Sequence, residues 1–244
     1  MKRFIVFFAA AVILLFSLVG DEFPAHAPQP APPKTEEAAL PVFQEEEPET
    51  DPVYADAEYD PLLPLFKYAD PREEEPQFVM IHFTSAVALT PEDPYNMERI
   101  RSVFVENEVS THYILDREGK ITCYVPESLV AWHAGKGTWR DDPLYENRMN
   151  WYAIGIEIAA MGSKEDMSLY LTPEEYDGIP SSQIGFTDAQ YSALSQLVSD
   201  ICLRHGIPMD REHIIGHEEY SPTKNDPGEL FSWDRLMASL SSEM

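Results

Sequence analysis

The residues best suited to chemistry lie in one stretch near the C-terminus, Gly216-His217-Glu218-Glu219-Tyr220-Ser221-Pro222-Thr223-Lys224-Asn225-Asp226-Pro227-Gly228. It sets an imidazole, an ammonium and a carboxylate in a loop punctuated by proline and bounded by glycine. Neutral imidazole nitrogen and carboxylate oxygen are zinc ligands, and a catalytic zinc takes three protein ligands so that a fourth position stays open. His217 and Asp226 supply two of the three on this reading, and the third must come from another part of the chain. A surface loop that holds one His and one Asp accounts for the stretch as well. The His-Glu-x-x-His spacing of helical zinc sites is absent, because Ser221 stands where a second His would be.

Two further residues stand out by their surroundings. Phe78-Val79-Met80-Ile81-His82 is an apolar run of strand formers that ends at the polar Thr84-Ser85, which delivers His82 at the end of a buried strand. Ala153-Ile154-Gly155-Ile156-Glu157-Ile158 sets a carboxylate inside another apolar run. On a buried strand Glu157 needs a partner or a chemical task; on an edge strand it simply faces water. His213 stands four residues before His217, a spacing that shares one face of a helix or strand and makes a rival pair.

The elements that must position these residues are legible from periodicity and punctuation. Thr90-Pro91-Glu92-Asp93-Pro94 reads as a helix start, with Met97, Ile100, Val103 and Phe104 at helical spacing behind it. Thr111 to Leu115 and Lys120 to Val125 form a hairpin through Asp116-Arg117-Glu118-Gly119, and Trp132-His133-Ala134-Gly135 follows on a loop. Thr187-Asp188-Ala189-Gln190 is a capping box. The helix it opens carries Tyr191, Leu194, Leu197, Val198, Ile201 and Cys202 on one stripe and stops at His205-Gly206, where His205 is expected to face the negative end of the helix dipole. A last helix turns Trp233, Leu236, Met237 and Leu240 inward. Strands alternating with helices predict an α/β fold, a central mixed β-sheet flanked by helices, with the candidate polar residues at strand ends and on loops.

The N-terminal third has a different character. Met1-Lys2-Arg3 precedes an apolar run from Phe4 to Val19, so residues 1–20 read as an export signal or an N-terminal membrane anchor. Ala25-His26-Ala27 has the small-x-small pattern of a cleavage site, but Pro28 follows it and hinders cleavage, which favours the anchor. Residues 21–75 are rich in Pro and Glu and are expected to be a disordered linker; Tyr59 to Tyr68 is the exception, apolar enough to dock on the domain expected at 76–244. The chain's net charge is −26, with 16 acids against 3 bases in residues 21–77 and 27 against 12 in residues 78–244. An acidic body argues against nucleic acid or anionic lipid as a partner of the folded part, so membrane contact is expected only through the N-terminal segment. Cys123 and Cys202 are two buried thiols or, in an exported chain, one disulfide.

Taken in order, Ile81-His82, Trp132-His133-Ala134-Gly135, Ile154-Gly155-Ile156-Glu157 and Gly216-His217 through Lys224-Asn225-Asp226-Pro227-Gly228 resemble the zinc-dependent N-acetylmuramoyl-L-alanine amidases, whose fold is shared with peptidoglycan recognition proteins. The resemblance covers about residues 76 to 238 and implies a single domain of that fold. It implies one Zn2+ held by His82, His217 and Asp226, and selects His217 over His213. It gives Glu157 the role of acting on the attacking water and Lys224 that of supporting the oxyanion. It implies that Trp132 and His133 line the substrate groove, where His133 would either touch substrate or make a structural hydrogen bond. His112 matches a family His that some relatives precede with Tyr; here Thr111 precedes it, so that tyrosine role is absent and His112 reads as structural. The stretches Thr138 to Tyr152 and Met161 to Phe186 are long and shape the groove.

The function implied is a peptidoglycan hydrolase that cuts between N-acetylmuramic acid and L-alanine of the stem peptide with zinc-activated water. The alternative class is a non-catalytic peptidoglycan-binding protein of the same fold, which would need neither the ligands nor Glu157 and Lys224. Either way the expected partner is peptidoglycan or a muropeptide. The protein is expected to act as a monomer, outside the cytoplasmic membrane, in the cell-wall or extracellular space.

Overall fold

The computed structural model of the protein describes residues 56–243. The signal or anchor at 1–20 and the linker as far as residue 55 lie outside the described residues. The strands are β1 (Glu58–Tyr59), β2 (Ala69–Pro71), β3 (Phe78–Thr84), β4 (Tyr113–Leu115), β5 (Ile121–Cys123), β6 (Leu129–Ala131), β7 (Ala153–Ala159) and β8 (Ile214–Gly216). The helices are α1 (Met97–Asn107), α2 (Met149–Tyr152), α3 (Pro173–Asp177), α4 (Asp188–His205), α5 (His217–Tyr220) and α6 (Trp233–Glu243). Six strands form one sheet in the order β1-β5-β4-β7-β3-β8, in which only the β4–β5 pair is antiparallel; β2 and β6 form a second, two-stranded antiparallel sheet. The expected mixed sheet with flanking helices is therefore present.

β3 and β7 are buried along their whole length, which is why they read as near-continuous apolar runs. Alternation sorts their side chains onto two faces. Val79, Ile81 and Phe83 of β3 and Ile154, Ile156 and Ile158 of β7 join α4 and α6 through Leu194, Leu197, Val198, Ile201, Leu236 and Leu240. Each such Val, Leu or Ile contributes about 1.5–3 kcal/mol on burial. Phe78 and Met80 point to the opposite face, and the same alternation sends His82, Gly155 and Glu157 there.

Local signals held where a cap or turn residue enforced them. Thr187 accepts from Gln190 N and Gln190 returns the bond to the Thr187 backbone, opening α4, which closes on Gly206 at φ 66°. The β4–β5 turn needs Gly119, at φ 83° and with Ala189 O only 2.7 Å from where a Cβ would sit. α1 begins later than Thr90-Pro91 predicts: Asn96 accepts from Arg99 N at 2.9 Å and caps the helix, while the Thr90 hydroxyl bonds to Ala86 O in a turn. His205 does more than face a dipole, since its Nε2 lies 2.6 Å from Glu127 Oε2. Cys123 and Cys202 are free and buried, and burial pushes both thiols up to about 12.

The boundary of the linker is corrected by the structure. Residues 56–75, expected to be linker apart from a docking segment, belong to the folded body. β1 adds to the sheet edge beside β5, Leu62 is fully buried with Phe104, Ile114 and Tyr124, and β2 pairs with β6. Arg72 donates to the carbonyls of Glu127, Leu129 and Trp151 at 2.8, 3.1 and 2.8 Å. Acidic composition concealed this strap, because a few apolar residues and one guanidinium supply contacts that an average over the stretch dilutes.

Candidate metal centre

Three parallel strands deliver the site. β3 and β7 pair in a register that sets His82 directly beside Glu157, and β3 and β8 pair with Ile81 opposite Gly216, so His217 follows at the same end of the sheet. His217 opens α5, and Asp226 returns to it through the bond from Glu218 N to Asp226 O at 3.0 Å. His82, Glu157, His217 and Asp226 are 1%, 3%, 4% and 3% exposed, a cluster of polar groups that only partners or a task can offset.

His82 Nδ1, His217 Nδ1 and Asp226 Oδ2 form a triangle with edges of 3.0, 2.8 and 3.1 Å. Zinc ligands at about 2.0–2.1 Å in tetrahedral geometry stand about 3.3 Å apart, so the triangle is a slightly contracted face of that polyhedron. His217 Nε2 faces Ala134 O at 2.9 Å. That acceptor assigns the hydrogen of the neutral ring to Nε2 and leaves the Nδ1 lone pair aimed at the Asp226 carboxylate. Two lone pairs facing each other at 3.1 Å call for a cation between them, and two imidazoles with one carboxylate are a zinc donor set. Among the described residues, His82, His217 and Asp226 are the group whose atoms fit a metal ion.

The electrostatics divide the groups by task. Burial opposes ionisation of Asp226, but the His217 and His82 rings outweigh it and hold the carboxyl far below the usual range. Burial, then the His217 ring, pushes His82 down to about 4, so that ring is available as a neutral donor. Glu157 goes the other way: burial and then Asp226 push it well above the usual range, with Lys224 pulling against them. Its Oε2 is buried with no hydrogen-bond partner among the described residues. Burial lowers Lys224 to about 8 while Asp226 and Glu157 oppose the fall, so the ammonium stays charged at neutral pH beside the two carboxyl groups.

The other expected site residues are placed as follows. His133 Nδ1 lies 3.0 Å from His82 Nε2, and its ring lies over Gly155, where a Cβ would come within 2.6 Å. Trp132 is held by the bond from its Nε1 to Asp70 Oδ2 at 2.8 Å. His112 is structural: it accepts from Gly155 N at 3.0 Å through Nδ1, and Nε2 faces Leu129 O at 3.1 Å. His213 is turned away to Asp210, at 2.7 Å. Sequence reasoning passed over Asn150, whose Oδ1 accepts from both His133 N and Ala134 N at 3.1 and 2.7 Å. The available signal was an amide set between Met149 and Trp151 in a buried tetrapeptide.

The arrangement is a buried corner where two imidazoles and a carboxylate converge beside a second carboxyl group whose pKa burial raises, the donor and proton-carrying groups that a metal-assisted hydrolase would need. The chain belongs to the N-acetylmuramoyl-L-alanine amidase family, whose sequence profile it matches over residues 72–229. It is 32% identical over 133 residues to the 1,6-anhydro-N-acetylmuramyl-L-alanine amidase AmpD of Haemophilus influenzae, covering 54% of this chain and 59% of that one. It is 31% identical over 144 residues to the N-acetylmuramoyl-L-alanine amidase AmiD of Escherichia coli, covering 55% and 46%. The chain thus spans about half the length of these relatives. The crystal structure of a selenomethionine AmpD derivative superposes with a TM-score of 0.53 at 25% identity, over 76% of this chain and 95% of that one. AmpDh3 of Pseudomonas aeruginosa, at 0.51 and 23% over 69% and 61%, shares the fold.

Proposed function

We propose that the protein is a zinc-dependent amidase that hydrolyses the bond between N-acetylmuramic acid and L-alanine of the stem peptide in peptidoglycan or its fragments. The observation that carries this reading is the register of β3 and β7, which sets Glu157 beside the ligand His82 on one face of the sheet. His82 Nδ1, His217 Nδ1 and Asp226 Oδ2 would hold the ion. When bound, zinc supplies a Lewis acid that acidifies water and polarises a carbonyl.

The chain's own residues supply the rest. Glu157, raised by its dry surroundings, takes the proton of the attacking water and returns it to the leaving amine of L-alanine. Lys224 places a positive charge where the tetrahedral oxyanion develops, and low local dielectric makes that charge count for more than it would in water. The membership of the family and the amidase names of AmpD and AmiD support the choice of bond. We also place the protein outside the cytoplasmic membrane, tethered through Phe4 to Val19 with the acidic, proline-rich stretch behind it as spacer.

The test is mass analysis of products from purified sacculi and soluble muropeptides. Free stem peptides should appear with zinc-loaded protein and disappear on chelation. A protein that binds muropeptides and releases no stem peptide would be a recognition module instead.

A further inference from the structure

The loop Trp132-His133-Ala134 meets both ligand histidines from behind. His82 and His217 present Nδ1 to the ion position, and their opposite nitrogens both end on this loop: His82 Nε2 on His133 Nδ1 at 3.0 Å, and His217 Nε2 on Ala134 O at 2.9 Å. A ring that offers Nδ1 as a lone pair carries its hydrogen on Nε2, so both contacts are donations from ligand to loop. Two consecutive residues therefore choose the tautomer and the rotation of two ligands that are 135 positions apart.

The loop is itself held on both sides. Asn150 Oδ1 accepts from the backbone of both acceptor residues, His133 and Ala134. Ser110 Oγ accepts from Trp132 N at 2.7 Å and donates to Tyr68 O at 2.5 Å. Asp70 takes the Trp132 indole hydrogen, and β2 pairs Ala69 with Ala131, the residue before the loop. The floor beneath the His133 ring is Gly155, whose backbone N–H is fixed by His112.

We infer that His133 and Ala134 form a positioning cradle for the two metal-ligand histidines, locked by Asn150 and by the strap at residues 68–70. This rests on the proposed metal site and assigns His133 to orienting a ligand instead of contacting substrate. Groups that orient metal ligands in this way are typically worth 10–100-fold in metal affinity. The full-length protein is loaded with zinc, and its zinc dissociation constant is measured by chelator competition, alongside KM for a soluble muropeptide.

His133→Ala, which leaves the His82 N–H without an acceptor, should weaken zinc 10–100-fold with KM at saturating zinc unchanged. Asn150→Ala should weaken zinc in the same direction, and Asn150→Asp, which still accepts both backbone N–H groups, should recover affinity to within about threefold. Parent-like zinc affinity in His133→Ala with a raised KM overturns the inference in favour of substrate contact. Should His133→Ala fail to fold, the Asn150 pair decides, and equal zinc affinity in Asn150→Ala and Asn150→Asp overturns the cradle. A parent protein that binds no zinc overturns the proposed metal site and this inference together, whereas a tight-binding parent with unaffected variants overturns the cradle alone.

Discussion

Glu127 and Glu157 are two glutamates withdrawn from water in one domain, and their surroundings treat them in opposite ways. Glu127 lies in the turn between β5 and β6, with its side chain 10% exposed. It accepts from Tyr113 OH, Arg204 Nη2 and His205 Nε2, each at 2.6 Å. Burial alone would raise it, but the His205, Tyr113 and Arg204 contacts prevail and bring it down to about 2. Glu157 has the Asp226 charge as its largest influence after burial, leaves Oε2 unpartnered among the described residues, and is driven up. Burial is common to both, so partners decide the outcome. A buried carboxylate that is fully hydrogen-bonded pins elements together, here the C-terminal end of α4 to β4 through Tyr113; one left short of partners is available for chemistry.

The comparison breaks most visibly through Glu157→Gln. Turnover of a soluble muropeptide should fall by about 10²–10⁴, the worth of a positioned general base, while KM, zinc content and fold persist. Steady-state kinetics with metal analysis reads this. A variant that unfolds or loses zinc would make Glu157 structural or a ligand, and would put it in the same class as Glu127.

Glu127→Gln should leave kcat/KM unaltered and cost stability instead. Because the folded pKa of about 2 lies below the ordinary 4.5, the charge contributes fully above about pH 4.5, up to about 3 kcal/mol. That contribution is lost as pH falls towards 2. Urea unfolding of metal-free protein across pH 3–7 should show a steep acid limb in the parent and a flatter one in the variant. Equal slopes would mean that Glu127 is not anchored as its contacts indicate.

The smallest effect has the reverse sign. Glu157 is raised in the folded state, so its protonated form fits the core and stability is lost as pH climbs above the ordinary carboxylate range. Metal-free Glu157→Gln should therefore match the parent near pH 4 and exceed it at pH 8 in melting temperature. A variant less stable than the parent at pH 8 would show that the Glu157 charge is partnered after all.

Much of this was legible along the chain. The apolar runs at 78–82 and 153–158, the capping box at Thr187 and the Gly119 turn act through neighbours a few residues away, and each formed the element it announced. The three groups proposed as ligands were legible through residue type and order, and His82, His217 and Asp226 do converge among the described residues. The strap was not, because its order depends on Leu62 and Arg72 reaching partners far along the chain, and composition averaged over 21–75 hides two such residues. Nor was the anchoring of His205, since Glu127 lies 78 positions away.

Sequence by itself determined which residues could ligate and which runs would be strands, because periodicity and donor chemistry are local properties. Only the tertiary structure decided that β3 and β7 pair with His82 opposite Glu157, and that Ala134 and His133 stand behind the His217 and His82 rings. It also decided which of two buried glutamates received partners. Strand register and loop placement follow from how whole faces pack, and a hydrogen bond of about 3 Å between distant residues leaves no mark on the spacing of either.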